Sequence, residues 1–549
     1  MTAFDRPTTT ASAATTTPLQ ARTDRRSLVG AAALAGGAAA LLAGSGGSLA
    51  GVAAAQGGGG GTLIVDLGSE PENLDIQQGL AATTNLLTSQ IFESLLRVKP
   101  GTLEIEPWLA ESYESSEDGL TWTFHLRQGV TFHDGTPFDA EAVKFNYDRQ
   151  FDETNEYYPL GQWSNGGYFD FITSVTVIDP ATVEIALSST FNKFEYRMAG
   201  FSIVSPAAVQ QYREMFPENP VGTGPYRFQQ WDKGQQVVLT PNEAYWGVKP
   251  TLDQVVFRAI AEAGARAAAL LSGETMIAVE ITPEIMQQLE TNDAFQIVTG
   301  PTGALWFLAM NVENEHFKDV RVRQAANFAV DKETLVSAVL NGTADIAQGP
   351  LSPAFTDYNP AVEGLYPYDP DKAKALLAEA GWDASTEVTF YCSIGGSGML
   401  SPEEMATVIQ DNLRAVGLNA TIVTQDFVTW MDTIRDPQND LTVMSWNIAP
   451  VEPDAMFNGI LSKASLPPGF NTSYWVNDEV EKLLPVGRTT IDPEEAKQAY
   501  LRIQEIVMEE VPIVPVCHRQ QLFGVSKAVQ GFVAVPSMDL ILEGVTVAS

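Results

Sequence analysis

Residues 109–149 read LAESYESSEDGLTWTFHLRQGVTFHDGTPFDAEAVKFNYDR. Between Gly119 and Arg127 the residue types alternate. Leu120, Trp122, Phe124 and Leu126 fall on one side, and Thr121, Thr123, His125 and Arg127 on the other. A period of two predicts a strand with one face on a core and His125 on the wet face. Asp134-Gly135 then signals a turn, because glycine accepts the positive φ that tight turns demand. Asp139 stands as an N-cap before Ala142, Val143 and Phe145, which predicts a helix. Strand, turn and helix in one stretch point to a mixed α/β chain.

The same grammar extends outward. Thr62-Leu63-Ile64-Val65-Asp66-Leu67 reads as an opening strand. A helix is expected over 84–96, with Leu87, Ile91 and Leu95 on one face. Residues 320–340 read as another helix, with Val322, Ala326, Ala329 and Leu340 among its apolar positions. Asp369 caps a further helix with Pro370 at its first turn. Ala373, Leu376, Leu377 and Ala380 follow at helical spacing, and Gly381 ends it. Strand character returns at Ile513-Val514-Pro515-Val516 and at Leu522-Phe523-Gly524-Val525. No internal repeat appears, and both element types run throughout.

The chain has 549 residues, enough for three or four domains or two large lobes. Hydrophobic residues make up 45% and charged residues 18%, so a sizeable core is available. With 32 Lys and Arg against 68 Asp and Glu, the formal charge is −36. Nucleic-acid binding is excluded, since phosphates call for clustered basic residues. Docking on an anionic membrane is disfavoured for the same reason. Two cysteines rule out a disulfide scaffold and a Cys-based zinc site. Cys392 and Cys517 form either one disulfide or two separate buried thiols.

Residues 1–55 have the order of an export signal. Arg25 and Arg26 open it, a weakly apolar run of Ala, Leu and Gly follows, and small residues close it at Val52-Ala53-Ala54-Ala55. The paired arginines resemble the twin-arginine class, whose cargo crosses folded. An uncleaved anchor or a disordered tail is the plainer alternative. The run is poor in bulky residues, so it would anchor weakly. No cysteine lies near the cut, so a lipoprotein is not supported. The segment carries four Arg and two Asp, and its removal takes the charge to −38. Residues 56–61, with glycines from Gly57 to Gly61, read as a flexible spacer.

Catalytic constellations are sought and not found. His125, His133, His316 and His518 lie at no metal-ligand spacing. His133, just before the Asp134-Gly135 turn, reads as structural. Gly395-Gly396-Ser397-Gly398 lacks the lysine of a phosphate loop. A paired-carboxylate hydrolase stays open, because 68 acids bring some pairs close by chance. Trp122 and Trp382 sit in core patterns. Trp306 and Trp446 fit either a ligand cleft or ordinary packing.

Several segments, in order, resemble the extracytoplasmic solute-binding proteins of ABC importers, family 5, the peptide/nickel-binding type. Residues 109–149 match the family pattern almost position by position. The others are Pro220 to Tyr226 with Asn242-Glu243-Ala244-Tyr245-Trp246, Met310-Asn311 with Val320 to Lys332, the helix from Asp369 to Trp382, and Asn471-Thr472-Ser473-Tyr474-Trp475. Gly222 and Gly224 around Thr223 suit a tight turn with unusual dihedrals. None of these motifs carries chemistry; they identify the scaffold.

The resemblance implies an α/β, two-lobe, periplasmic-binding-protein-like fold with a two-strand hinge and an extra subdomain on lobe I. Residues 62–302 would form lobe I, 303–511 lobe II, and 512–549 the return to lobe I. It also implies a non-catalytic exported receptor, monomeric, without cofactor or metal. Such a receptor closes on a short peptide or peptide-like solute and delivers it to the permease, with ATP hydrolysed on separate subunits. A secreted hydrolase of peptides or glycosides is the alternative. In peptide-binding members an aspartate three residues after a tryptophan holds the peptide's amino group. Here that position after Trp446 is Ala449, so Glu452 or Asp454 stands as a substitute, and Asp454 equally as a helix cap. The ligand-site candidates are Thr83, Thr84 and Asn85, a lid of Tyr157, Tyr158 and Trp163, and Trp306, Met444, Trp446, Asn447 and Glu452.

Overall fold

The computed structural model describes residues 60–78, 82–100, 102–160, 169, 171–394, 401–446, 452–535 and 540–548. They fall within one compact unit, Gly57–Ser549. The export-signal reading, Trp163, Asn447 and Ala449 lie outside the described residues.

The opening strand spans Thr62–Leu67, with Leu63, Val65 and Leu67 buried on one face and Thr62 and Ile64 half-buried on the other. It runs parallel to Gln254–Ala259 on one side and to Ile277–Val279 on the other. The sheet continues antiparallel through Gln236–Pro241 to an edge at Tyr226–Asp232. In the other direction come two long strands, Phe295–Met310 and Ile513–Ser526, antiparallel to each other. Beyond them lie Leu441–Trp446, Glu387–Ser393 and Asn419–Gln425, the last three mutually parallel. Ala344–Ile346 adds to Ile513–Ser526, giving one eleven-stranded sheet.

The two long strands pass from one half of the sheet to the other. Residues 295–301 pair with 520–526 in the first half, and 305–309 with 513–518 in the second. Between Pro301 and Leu305 the register shifts. Thr302 bridges the break: its hydroxyl donates to the Arg519 carbonyl at 2.6 Å and accepts from the Ala304 N–H at 3.1 Å. Two lobes joined by a two-strand hinge follow directly. Lobe I packs its core around Val65, Phe257 and Val525, and lobe II around Phe390, Val443 and Val514.

An added subdomain sits on lobe I. Its four-stranded antiparallel sheet runs Ala110–Ser115, Thr121–Leu126, Thr182–Leu187, Ile172–Asp179. The alternation quoted above builds the second of these strands: Phe124 and Leu126 are buried and His125 is exposed. Asp139 caps the helix Ala140–Phe151 by accepting from the Ala142 N–H, as its sequence predicts. Trp122 packs between Tyr113 and Phe194.

Three local expectations change. The helix expected over 84–96 ends at Thr88, because the segment beyond it is claimed by tertiary partners. The Gln90 and Ile91 carbonyls accept from the N–H groups of Tyr226 and Gly224, and Glu93-Ser94 pairs with Ser202-Ile203. The 320–340 helix breaks after Val320–Ala329; Val330 is extended and Asp331 caps a new turn, Lys332–Thr334. Gly222 and Gly224 do not take positive φ. They are glycine because the chain passes against the backbone of residues 90–91. A Cβ at Gly222 would lie 2.1 Å from the Ile91 carbonyl oxygen, and one at Gly224 2.5 Å from that of Gln90. The strands expected at 513–516 and 522–525 are parts of one crossing strand. Cys392 and Cys517 are separate buried thiols, each pushed up to about 12 by burial first.

Candidate functional site

Lobe II approaches the lobe I subdomain through the residues around Pro453–Ile460. Trp446 ends its strand half-buried, and its indole N–H donates to the Ala455 carbonyl at 3.1 Å. The ring lies over Gly459, where a Cβ would sit 2.5 Å from it, and 5.1 Å from the Phe470 ring. Met444, two residues earlier on the same strand face, is buried and meets the Thr472 hydroxyl at 3.0 Å. Glu452 opens the helix Pro453–Ile460 and is fully enclosed. The structure therefore brings Met444, Trp446 and Glu452 to one end of lobe II. Trp306 lies opposite Ser445 on the neighbouring strand and faces the other layer, among Cys517, Val516 and Leu335.

The lobe I candidates form a second group. Thr83 and Thr84 are buried in the helix Ala82–Thr88; the Thr83 hydroxyl meets that of Ser69 at 2.9 Å. Among the described residues the Thr84 hydroxyl is buried without a hydrogen-bond partner, and Asn85 is half-buried beside it. Tyr157 packs on Phe145 and under the Arg213 guanidinium, with half-buried Tyr158 beginning the next short turn.

Glu452 does not stand open. The Arg197 guanidinium, from the lobe I helix Phe194–Ala199, donates directly to its Oε1. Burial raises the Glu452 pKa, and Arg197 opposes that rise. Asp454 beside it takes two hydrogen bonds from Arg488, at 2.7 and 2.9 Å. Lys193 reaches Asp357 of lobe II at 3.3 Å, also largely out of water. The backbone joins in: the Asn192 N–H donates to the Arg488 carbonyl at 2.6 Å, and its side-chain amide to the Thr490 carbonyl at 2.9 Å. Leu103 of lobe I is buried among lobe II side chains. Sequence reading missed Arg197 and Lys193. The available signal was two cations set among Phe191, Phe194, Tyr196 and Met198, where long charged side chains need a specific reason.

A second missed residue is Glu93. Its buried carboxylate accepts from Trp108 at 2.7 Å and Tyr245 at 2.7 Å on one oxygen. The other oxygen accepts from Thr223 at 2.7 Å and Trp246 at 3.0 Å. Burial pushes its pKa up, and these four donors pull against that. An acid inside the run Ile91-Phe92-Glu93-Ser94-Leu95-Leu96 was its sequence signal.

Other buried polar groups lie near the hinge. His518 is enclosed, and burial lowers its pKa to about 4 against the opposing pull of the Ala304, Leu351 and Gly349 backbone. Lys332 donates to the Ala347 carbonyl at 3.4 Å, and burial lowers its pKa to about 7. Among the described residues no cluster of three or more His, Cys, Asp or Glu is placed to hold a metal ion. Nor, among them, is any helix long and apolar enough to cross a membrane.

Two lobes joined by a pair of crossing strands define a binding protein of the two-lobe type. Residues 104–467 match the family model of bacterial extracellular solute-binding proteins, family 5, and the chain belongs to that family. It is 31% identical to the dipeptide-binding protein of Escherichia coli strain K12, over 86% of this chain and 92% of that one. HbpA2 from Haemophilus parasuis superposes with a TM-score of 0.82 at 29% identity, covering 89% of this chain and 100% of the other. The periplasmic binding protein DppA from Helicobacter pylori, in complex with the peptide STSA, gives 0.72 at 28% identity, over 89% and 99%.

Proposed function

We propose that this protein is the exported substrate-binding component of an ABC importer, and that its solute is a short peptide or a peptide-like compound. The observation that carries the reading is the pair of crossing strands, Phe295–Met310 with Ile513–Ser526, in a family whose dipeptide-binding relative matches nearly end to end. The peptide-bound DppA supports the same ligand class. The alternative of a secreted hydrolase finds no support among these relatives.

In this reading residues 62–302 form lobe I and 303–511 lobe II, and 512–549 return the chain to lobe I after 513–518 have paired in lobe II, with the register shift at 301–305 as the place where the lobes rotate. Residues 1–55 are the signal, cleaved after Ala55, and the mature chain acts as a monomer without catalysis. The solute lies between Trp446 with Met444 on lobe II and Thr83, Thr84 and Asn85 on lobe I, under Tyr157, Tyr158 and Trp163. Its preference for the closed form supplies the free energy of closure, and the closed form is what the permease recognises. A separate ATPase subunit drives release.

Native mass spectrometry of the protein as purified tests this, since an enclosed solute is retained. A thermal-shift screen of dipeptides and tripeptides follows. A true ligand at 100 times its Kd adds about 2.7 kcal/mol. A chemically altered solute, or an unshifted melting point across peptides, peptide conjugates and amino-acid derivatives, would refute the proposal.

A further inference from the structure

We propose that Arg197 is a closure-positioning residue: it enters the acidic pocket of lobe II as the counter-ion of Glu452, so that the lobes shut on the chain's own ion pair and no cationic group is required of the solute there. The inference rests on the two-lobe solute-binding reading above and adds a residue to it.

The first ground is charge. Residues 303–511 carry 31 Asp and Glu against 13 Lys and Arg; residues 62–302 with 512–549 carry 35 against 15. The two halves repel each other at every separation within the screening length. A contact between them must overcome that repulsion, and the contact seen here does so with opposite charges. Lobe I contributes Lys193 and Arg197, and lobe II contributes Asp357 and Glu452, while Asp454 is paired within lobe II by Arg488.

The second ground is burial. The Arg197 side chain is 8% exposed and that of Glu452 0%. An isolated carboxylate so enclosed is strongly disfavoured, whereas a paired one is tolerated. Arg488 of lobe II also favours the charged carboxylate, but the hydrogen-bonded counter-ion comes from the opposite lobe and reaches Glu452 only when the lobes meet. If the lobes separate, water reaches both groups. The pair therefore favours the closed form without being needed for either lobe to fold.

The third ground is that the pocket is unfinished. Among the described residues Glu452 Oε2 is buried with no hydrogen-bond partner, and so is the Tyr500 hydroxyl, whose pKa burial and the charges of Asp454, Glu452 and Asp357 push up. With Arg488 held by Asp454 and Lys193 by Asp357, Arg197 is the cation whose hydrogen bond Glu452 accepts, and its removal leaves room for a small substitute.

The experiment measures lobe separation directly. Spin labels are placed at exposed Glu117→Cys and Gln498→Cys on the mature chain; native Cys392 and Cys517 are buried and stay unlabelled. Solute is first stripped by unfolding in urea and refolding. The expected result is a short-distance population in the parent protein, about tenfold depleted in Arg197→Ala. Low-millimolar ethylguanidinium should restore it in that variant and do nothing to the parent. Glu452→Gln should deplete it too, with no rescue. An unchanged distribution in both variants would overturn the latch, and so would depletion in Arg197→Ala that ethylguanidinium leaves unrescued while the far-UV spectrum stays native. Retention of a solute by the parent in native mass spectrometry is read separately. Its presence with an unchanged distribution sinks the latch alone; its absence, with no peptide shifting the melting point, sinks the solute reading.

Discussion

Glu93 and Glu452 are both buried glutamates with raised pKa values, and they do opposite work. Glu93 is filled from all sides by neutral donors, and every one of them belongs to lobe I. It fastens the start of the subdomain to the strand-edge segment at 223 and to the 245–246 turn. Glu452 has one charged partner from across the lobe boundary and one oxygen left without a partner. A carboxylate satisfied within one body is a brace. A carboxylate satisfied only by the other body is a joint. The number of donors and the lobe they come from separate the two roles; burial does not.

The largest effect expected is at the brace. Glu93→Ala orphans four donors, two buried and two half-buried, and unsatisfied buried groups cost about 1–3 kcal/mol each, so a loss of about 4 kcal/mol is expected in urea unfolding. A loss below about 1 kcal/mol would erase the distinction drawn here. Next comes the backbone approach that delivers Thr223 to Glu93. Gly224→Ala forces a methyl to within 2.5 Å of the Gln90 carbonyl oxygen, and about 3 kcal/mol should be lost. Positive φ is not the cause, so asparagine should rescue nothing.

A third test uses acid. The pKa of His518 is depressed in the folded state to about 4 from 6.5. Between those values only the unfolded chain binds the proton, so the His518 contribution is complete above pH 6.5 and drains away as pH falls toward 4. His518→Gln should flatten the stability–pH curve in that window by about 2–3 kcal/mol relative to the parent. Glu452 and Glu93 titrate in the opposite sense, and the difference between the two curves removes them. The smallest effect is expected at the joint. Arg197→Met would cost about 3–5 kcal/mol if the pair sat inside one body. Because separating lobes hydrate Glu452, the unfolding free energy should fall by about 1 kcal/mol or less. A full-sized loss would make the joint a second brace.

Much of the fold was legible because it obeys local rules. The Thr62–Leu67 strand, the Asp139 cap and the helix ending at Gly381 are each written in neighbouring residues. The helix overrun past Thr88 and the mistaken dihedral reading of Gly222 and Gly224 share one cause. Both segments are shaped by each other across more than a hundred residues of chain, and periodicity carries no record of that. Of the lobe II candidates, Met444 and Trp446 share one strand face and Glu452 begins the helix on which Trp446 packs, while Trp306 faces the other layer. Arg197 escaped because the property that matters, its placement against the opposite lobe, exists only after the hinge strands have set the lobes face to face.

The two thiols carry a last consequence. With Cys392 and Cys517 each sealed in its own strand and neither bonded to the other, completing this architecture requires no oxidant and no disulfide isomerase. The chain can reach its final shape among the reductants of the cytosol as readily as outside the cell.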